Sequence, residues 1–327
     1  MIKLVTIYGG HGFVGRYIAR RMAKEGWRVR VAVRRPNEAL FVRTYGTVGQ
    51  VEPIFCNIRS DESVRAAMEG ADAVVNCVGI LNELGRNTFE EVHHRGAERI
   101  ARLASVCGVE RMVHLSAIGA DEASESNYSR TKALGEAAVQ KHFLSAMILR
   151  PSVIFGPEDR FFNKFAGMAV ASPVLPLVGG KTRFQPVYVE DVAKAAVMGL
   201  TGKAGGGIYE LGGPEIRTLR ELVQDVLKEI RRRRLVLNLP FWMGSAMAGV
   251  LDTVQAVSFG LVENTVLTRD QVRSLRHDNV VAEGARGLPD LGITPVAPEV
   301  IMPSYLWRYR PSGQYAEIKE SAKKLKV

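Results

Sequence analysis

Tyr128 and Lys132 stand four residues apart, one helical turn, so a phenol and an ammonium would share one face, where the cation can lower the phenol pKa. Ser116, twelve residues upstream, adds a hydroxyl. Near the N-terminus, Gly9, Gly12 and Gly15 follow an apolar run (Leu4, Val5, Ile7) in the order strand, tight turn, helix. Glycines there let the backbone approach a pyrophosphate closely, and the first helical turn offers it unpaired N–H groups and a partial positive charge. A dinucleotide is the expected ligand. Arg34, nineteen residues after Gly15, and Arg35 close the second apolar run. An acidic residue there would bond a ribose 2′-hydroxyl, whereas arginine accommodates a 2′-phosphate, so the pair predicts NADPH over NADH.

These residues need a scaffold that brings strand ends together. Apolar strands at 27–33, 51–58, 73–78 and 111–115 follow the first, with helices at 16–24, 60–69 and 88–107 between them, and a sixth strand lies at 146–150. Such alternation predicts an α/β fold: a Rossmann-type, doubly wound parallel sheet covered on both faces. Residues 1–160 form the nucleotide-binding domain, with the sheet completed by about 185–213, where 207–213 reads as a seventh strand. Residues 161–184 and 214–300 form a smaller, mainly helical domain, and 301–327 a basic tail. Residues 219–231 repeat apolar side chains at helical spacing and end in four arginines, 231–234.

The chain has 327 residues, 46% of them apolar, and a net charge of +10. Its three cysteines, Cys56, Cys77 and Cys107, lack C-x-x-C spacing, so neither a disulfide framework nor a zinc site is implied. His93, His94, His114 and His142 show no metal-ligand or triad spacing and read as helix-surface or strand residues. No helix-turn-helix, zinc-finger or aromatic RNA-binding pattern accompanies the positive charge, which excludes nucleic acid as the expected partner. Acidic lipid or an acidic protein remains. Residues 241–262 are apolar apart from Asp252, but the central charge and several small polar residues argue against a span. They read instead as amphipathic helices on an anionic membrane surface beside the arginine run, with Val250 and Leu251 on the apolar side and Asp252 and Gln255 opposite. Core helices are the alternative. The tail from Arg308 carries too little apolar surface to fold alone and is expected to drape over a partner.

The G-x-x-G-x-x-G turn, the Y-x-x-x-K pair and the segment L-S-A-I-G-A-D (115–121) resemble the extended and atypical short-chain dehydrogenase/reductase families. R-P-S-V-I-F-G (150–156), E-D-R-F-F-N-K-F (158–165), Q-P-V-Y-V-E-D-V-A (185–193), T-R-D-Q-V (268–272) and Y-L-W-R-Y-R (305–310) narrow this. Together they resemble the atypical members that serve as nucleotide-binding accessory subunits of respiratory complex I, NADH:ubiquinone oxidoreductase. The resemblance implies a tightly held, structural NADPH, other complex I subunits as partners, and a position near the junction of the hydrophilic and membrane arms. That site would be the cytoplasmic side of a bacterial inner membrane, or the matrix side in an organelle. It implies a nucleotide site made by Gly9, Gly12, Phe13, Val14 and Gly15 at the phosphates and by Arg34 and Arg35 at the ribose. Asn57, where relatives carry Asp, and Ile58 would lie beside the adenine. Val78 and Gly79 would run along the cofactor, with Ser116, Tyr128, Lys132, Pro151 and Ile154 toward the nicotinamide. In active relatives the Tyr is the acid/base and the Lys also holds the nicotinamide ribose. Here Ser116 is followed by Ala117 and Ile118 without a second hydroxyl, and the short stretch to Tyr128 predicts little room for a substrate. A ribose-holding role for Tyr128 and Lys132 is therefore expected, with no catalysis. A free NADPH-dependent reductase or isomerase and a nucleotide-sensing regulator are the alternatives.

Overall fold

Leu4, Val5, Thr6, Ile7 and Tyr8 are all buried, the pattern of a strand covered on both faces. The two polar side chains among them are satisfied: Thr6 Oγ1 donates to the Ala67 carbonyl and Tyr8 OH to the Val64 carbonyl, each at 2.8 Å. The computed structural model describes residues 2–257, 264, 267–315 and 321. From β1 (Leu4–Tyr8) the chain runs through α1 (Phe13–Lys24), β2 (Arg28–Val33), β3 (Val51–Phe55), α2 (Asp61–Met68), β4 (Ala73–Asn76), α3 (Gly96–Val106), β5 (Arg111–Leu115), α4 (Asn127–His142) and β6 (Met147–Pro151). Then follow β7 (Ile154–Phe155), α5 (Phe162–Ala171), β8 (Val174–Val178), β9 (Arg183–Phe184), β10 (Val187–Tyr188), α6 (Val189–Thr201) and β11 (Gly207–Leu211). The last elements are β12 (Arg217–Thr218), α7 (Leu219–Glu229), β13 (Leu235–Leu239), α8 (Phe241–Val257), α9 (Arg269–Ser274), α10 (Pro298–Ile301) and α11 (Pro303–Leu306).

The main sheet is parallel throughout, in the order β11-β6-β5-β4-β1-β2-β3. Ile7 and Val31 pack on one side against Ile18 and Met22 of α1 and Val192 and Ala196 of α6. Tyr8 and Val74 pack on the other side against Met68 of α2, Ile100 of α3 and Val139 of α4. This is the Rossmann-type doubly wound sheet read from the alternation. A second core joins Phe162 and Ala166 of α5, Leu175 of β8, Leu222 and Val226 of α7, and Leu306 of α11.

Several boundaries move, with consequences for the site. β3 ends at Phe55 and β4 at Asn76, so Asn57, Ile58, Val78 and Gly79 lie on loops beyond the strand ends. The helix expected at 88–107 is interrupted: a π-helical turn at Glu90–Arg95 precedes α3 and turns His93 inward.

The smaller domain draws part of the arginine run and the start of the tail into the body. Arg232 Nε donates to the Tyr309 carbonyl (2.9 Å) and Arg234 Nε to the Ala169 carbonyl (2.6 Å), so half of the arginine run ties chain segments together and only Arg231 and Arg233 are exposed. The start of the tail is also part of the body. Arg308 Nη2 donates to Asn163 Oδ1 at 2.6 Å, and Arg310 pairs with Glu229. The remainder of the tail, 316–320 and 322–327, lies outside the described residues, as do 258–262 of the apolar segment. In α8 the polar side faces the body. Asp252 accepts from the Arg269 N–H (3.1 Å) and from Asn264 Nδ2 (2.7 Å), and Gln255 Nε2 donates to the Glu83 carbonyl (3.1 Å). Trp242 and Val250 point outward, 71% and 65% exposed. Among the described residues, no helix is long and apolar enough to cross a membrane.

Candidate functional site

In a parallel sheet the ligand crevice opens where strand order reverses, at the carboxyl ends of the strands. Here that point lies between β1 and β4. Gly9 turns the chain there with φ +74°, in the left-handed region that side chains disfavour. Gly15, inside the first turn of α1, sits so close to the preceding loop that a Cβ would meet Gly9 O and Gly10 Cα at 2.6 Å. The helix N-terminus is thereby drawn tightly over the turn. A cavity of about 1370 Å³ runs along the strand ends. Every residue predicted to hold the nucleotide lines it except Arg35. Arg34 faces the cavity, while Arg35 points the other way and pairs with Glu38 at 2.9 Å in solvent. Successive side chains leaving a strand alternate in direction, so of the two adjacent arginines only Arg34 lines the cavity.

The structure adds three residues to the site. His11, within the glycine turn, lines the cavity with its buried Nδ1 lacking a hydrogen-bond partner, and burial followed by the nearby Arg16 lowers its pKa. Arg59 lines it beside Asn57, whose Oδ1 accepts from the Arg59 N–H at 3.1 Å. Asp270 of α9 reaches the start of α4, accepting from Ser126 Oγ (2.8 Å) and from the N–H groups of Asn127 (2.7 Å) and Tyr128 (3.2 Å). A carboxylate is favoured at a helix N-terminus. The glycine motif placed His11 at the turn, but nothing local connects Asp270 to Tyr128.

At the chemical end, Tyr128 lies edge-on to Phe89 and His93, with ring centroids 5.8 and 5.2 Å away. Burial pushes its pKa up to about 12. Lys132 Nζ donates to the Leu115 carbonyl at 3.0 Å, and burial lowers its pKa to about 8 against the opposing pull of Glu136 and Cys77. The expected lowering of the phenol pKa by Lys132 does not occur: the ammonium is anchored on β5, and desolvation governs the phenol. His93 is a core residue and not a surface one. Its Nε2 accepts from the Ile80 N–H at 3.1 Å, and burial, followed by Lys132 and His114, depresses its pKa to about 2. His114 lies 3.1 Å from the Asn76 amide nitrogen and is likewise held neutral, its pKa near 3. Ser116 Oγ is buried on the cavity wall and has no hydrogen-bond partner among the described residues.

The open glycine turn, the unpaired His11 and Ser116 atoms and the clear wall at Gly79, where a Cβ would come no nearer than 3.6 Å to Lys132 Nζ, fit an extended dinucleotide. The prediction of little room for a second molecule is overturned. The cavity continues past Tyr128 between α5, α8 and α9, whose wall residues are distant in sequence from the Ser116–Tyr128 stretch.

Residues 5–212 match the family described as the NAD dependent epimerase/dehydratase family. An Arabidopsis thaliana protein named NADH dehydrogenase [ubiquinone] 1 alpha subcomplex subunit 9, mitochondrial, is 35% identical over 316 residues, covering 95% of this chain and 79% of its own. The NADH-ubiquinone oxidoreductase 40 kDa subunit of Neurospora crassa is 32% identical over 311 residues, covering 95% and 80%. Among solved structures, the NADPH-dependent quinone oxidoreductase QOR2 of Escherichia coli, complexed with NADPH, superposes with a TM-score of 0.69 at 16% identity, over 90% of this chain and 97% of that one. The last likeness concerns the fold alone. With the matched region spanning the glycine turn, Ser116, Tyr128 and Lys132, the chain belongs to the NAD dependent epimerase/dehydratase family.

Proposed function

We propose that this protein is an NADPH-binding accessory subunit of respiratory complex I, with the nucleotide serving as a structural element. The carrying observation is the 35% identity to a mitochondrial complex I subunit over 95% of the chain, which takes in the smaller domain as well as the sheet. Arg34 on the cavity wall supports NADPH over NADH. The Tyr128 environment supports a non-catalytic role. An acid/base catalyst works best with a pKa near the operating pH, whereas burial drives this phenol up to about 12. The anchoring of Lys132 on the Leu115 carbonyl opposite Gly79 supports a role in holding the nicotinamide ribose. The partners are other complex I subunits, at the junction of the peripheral and membrane arms on the cytoplasmic side of a bacterial membrane or the matrix side of a mitochondrial one. Outward-facing Trp242 and Val250 of α8 offer an apolar contact there, and Arg231 and Arg233 a basic one.

A free NADPH-dependent oxidoreductase or isomerase is the second reading, favoured by the space beyond Tyr128. Native electrophoresis of membrane extracts separates the two. Co-migration with NADH:quinone activity, retained when Tyr128→Phe replaces the wild type, is the expected result. A protein found only as a free species that turns over NADPH, with turnover lost in Tyr128→Phe, would overturn the accessory-subunit reading.

A further inference from the structure

At about 1370 Å³ the cavity exceeds the roughly 300–1,000 Å³ of an ordinary small-molecule site. The nucleotide half runs from the glycine turn to Lys132. Beyond Tyr128 the same cavity continues into a chamber whose wall includes Phe161, Phe165, Met168, Leu177, Met247 and Leu275. Polar side chains also reach its wall, and most of them are already bonded to the protein, while Arg160 and His277 line the cavity with side chains exposed to solvent. Asp270 is spent on the start of α4, and Ser274 Oγ lies 3.0 Å from Ser126 Oγ. Asp278 accepts from the Arg183 N–H and Nε, each at 2.8 Å. Asn279 Oδ1 accepts from Ser152 Oγ (2.7 Å) and the Val153 N–H (3.1 Å), while its Nδ2 donates to the Ile118 carbonyl (3.2 Å). Gln271 closes the capping box of α9, and Lys164 also has a partner. The several hydroxyls of a nucleotide-sugar would meet a wall whose buried polar groups are committed, leaving them unpaired at a desolvation cost, with only the exposed Arg160 and His277 to receive its diphosphate. A hydrocarbon chain asks for no partners and gains by leaving water. At the border with the nucleotide half, Ser116 Oγ supplies one uncommitted hydroxyl, enough for a single head-group oxygen.

We propose that this chamber is a binding site for the hydrocarbon chain of an amphiphile, with the chain lying between α5 and α8 and a head-group oxygen hydrogen-bonded to Ser116. The site does not depend on membership of complex I, and its test uses the isolated full-length chain. The probe is cis-parinaric acid, a polyene fatty acid whose fluorescence rises in apolar surroundings, titrated with NADPH present. Saturable one-to-one binding is expected, with displacement by palmitate for a straight-chain preference or by farnesol for a branched one. Met168→Trp and Met247→Trp each fill the chamber from a different wall and should weaken binding at least tenfold while NADPH affinity is unchanged. Should either variant lose NADPH binding through misfolding, the other decides. Val250→Glu, on the outward face of α8, should leave the probe affinity as it is. Binding that does not saturate, that survives both chamber-filling variants, or that is abolished by Val250→Glu would overturn the proposal. Displacement by UDP-glucose but by neither palmitate nor farnesol would do the same.

Discussion

Acidification should destabilise this protein through two buried histidines. His93 and His114 are each 1% exposed and flank Lys132, and desolvation holds their pKa values near 2 and 3. In the unfolded chain both return to about 6.5. Between roughly pH 3 and 6.5 the unfolded state therefore binds more protons than the folded one. Stability is fully present above pH 6.5 and is lost as pH falls, by up to about 1.4 kcal/mol per pH unit for each histidine. From pH 7 to 5.5 the pair accounts for about 2–3 kcal/mol, a sizeable part of the roughly 5–15 kcal/mol of a typical domain. His11 acts in the same direction, whereas Asp159 and Asp225, whose carboxyl pKa values burial raises, act in the opposite one. The informative quantity is thus the difference between wild type and His93→Gln or His114→Gln, measured by urea unfolding at pH 7 and pH 5.5 without nucleotide. Each variant has its own baseline stability, but its loss between the two pH values should be smaller than that of wild type by about 1 kcal/mol. An identical pH dependence in all three proteins would refute the reasoning.

Glu136, 3% exposed, accepts from Arg150 Nε (2.9 Å) and Nη2 (2.6 Å) and ties α4 to β6; Glu136→Gln should cost about 3 kcal/mol in chemical unfolding, near the low end for a broken buried pair because Glu210 remains 3.5 Å from Arg150. A change below about 0.5 kcal/mol would mean the pair is idle. Calorimetric titration should show Arg34→Ala weakening NADPH at least tenfold while NADH affinity barely moves, and Arg35→Ala, which breaks only a solvent-exposed pair with Glu38, affecting neither; equal losses for the two nucleotides would sink the 2′-phosphate assignment. Asp270→Ala removes three hydrogen bonds from the start of α4 and should lower thermal stability by an amount equivalent to about 1.5–3 kcal/mol, with an unchanged melting temperature counting against the link.

The sheet was readable because its signals are local: apolar runs of strand length, helices between them, and a glycine turn whose strand and helix neighbours occupy adjacent positions in the chain. The same locality explains why Tyr128 and Lys132, one helical turn apart on α4, both reach the cavity. It also explains why an arginine at the end of β2 could be expected at the cavity, although spacing named Arg34 and Arg35 together. Spacing shows which side chains share a face, but not which face meets the protein. For α8 the sequence separates an apolar side from Asp252 and Gln255, yet only the fold turns the polar side inward, because Asn264, Arg269 and Glu83 wait there with complementary groups. Arg35 leaves the site because the strand ends at Val33 and adjacent residues diverge. Lys132 fails to lower the Tyr128 pKa because the β5 carbonyl at Leu115 captures its ammonium and burial isolates the phenol. Asp270 meets Tyr128 across 142 residues, and the chamber beyond Tyr128 is assembled from α5, α8 and α9. Contacts of that range are set by how the smaller domain packs over the strand ends, a tertiary outcome that no periodicity along the chain encodes.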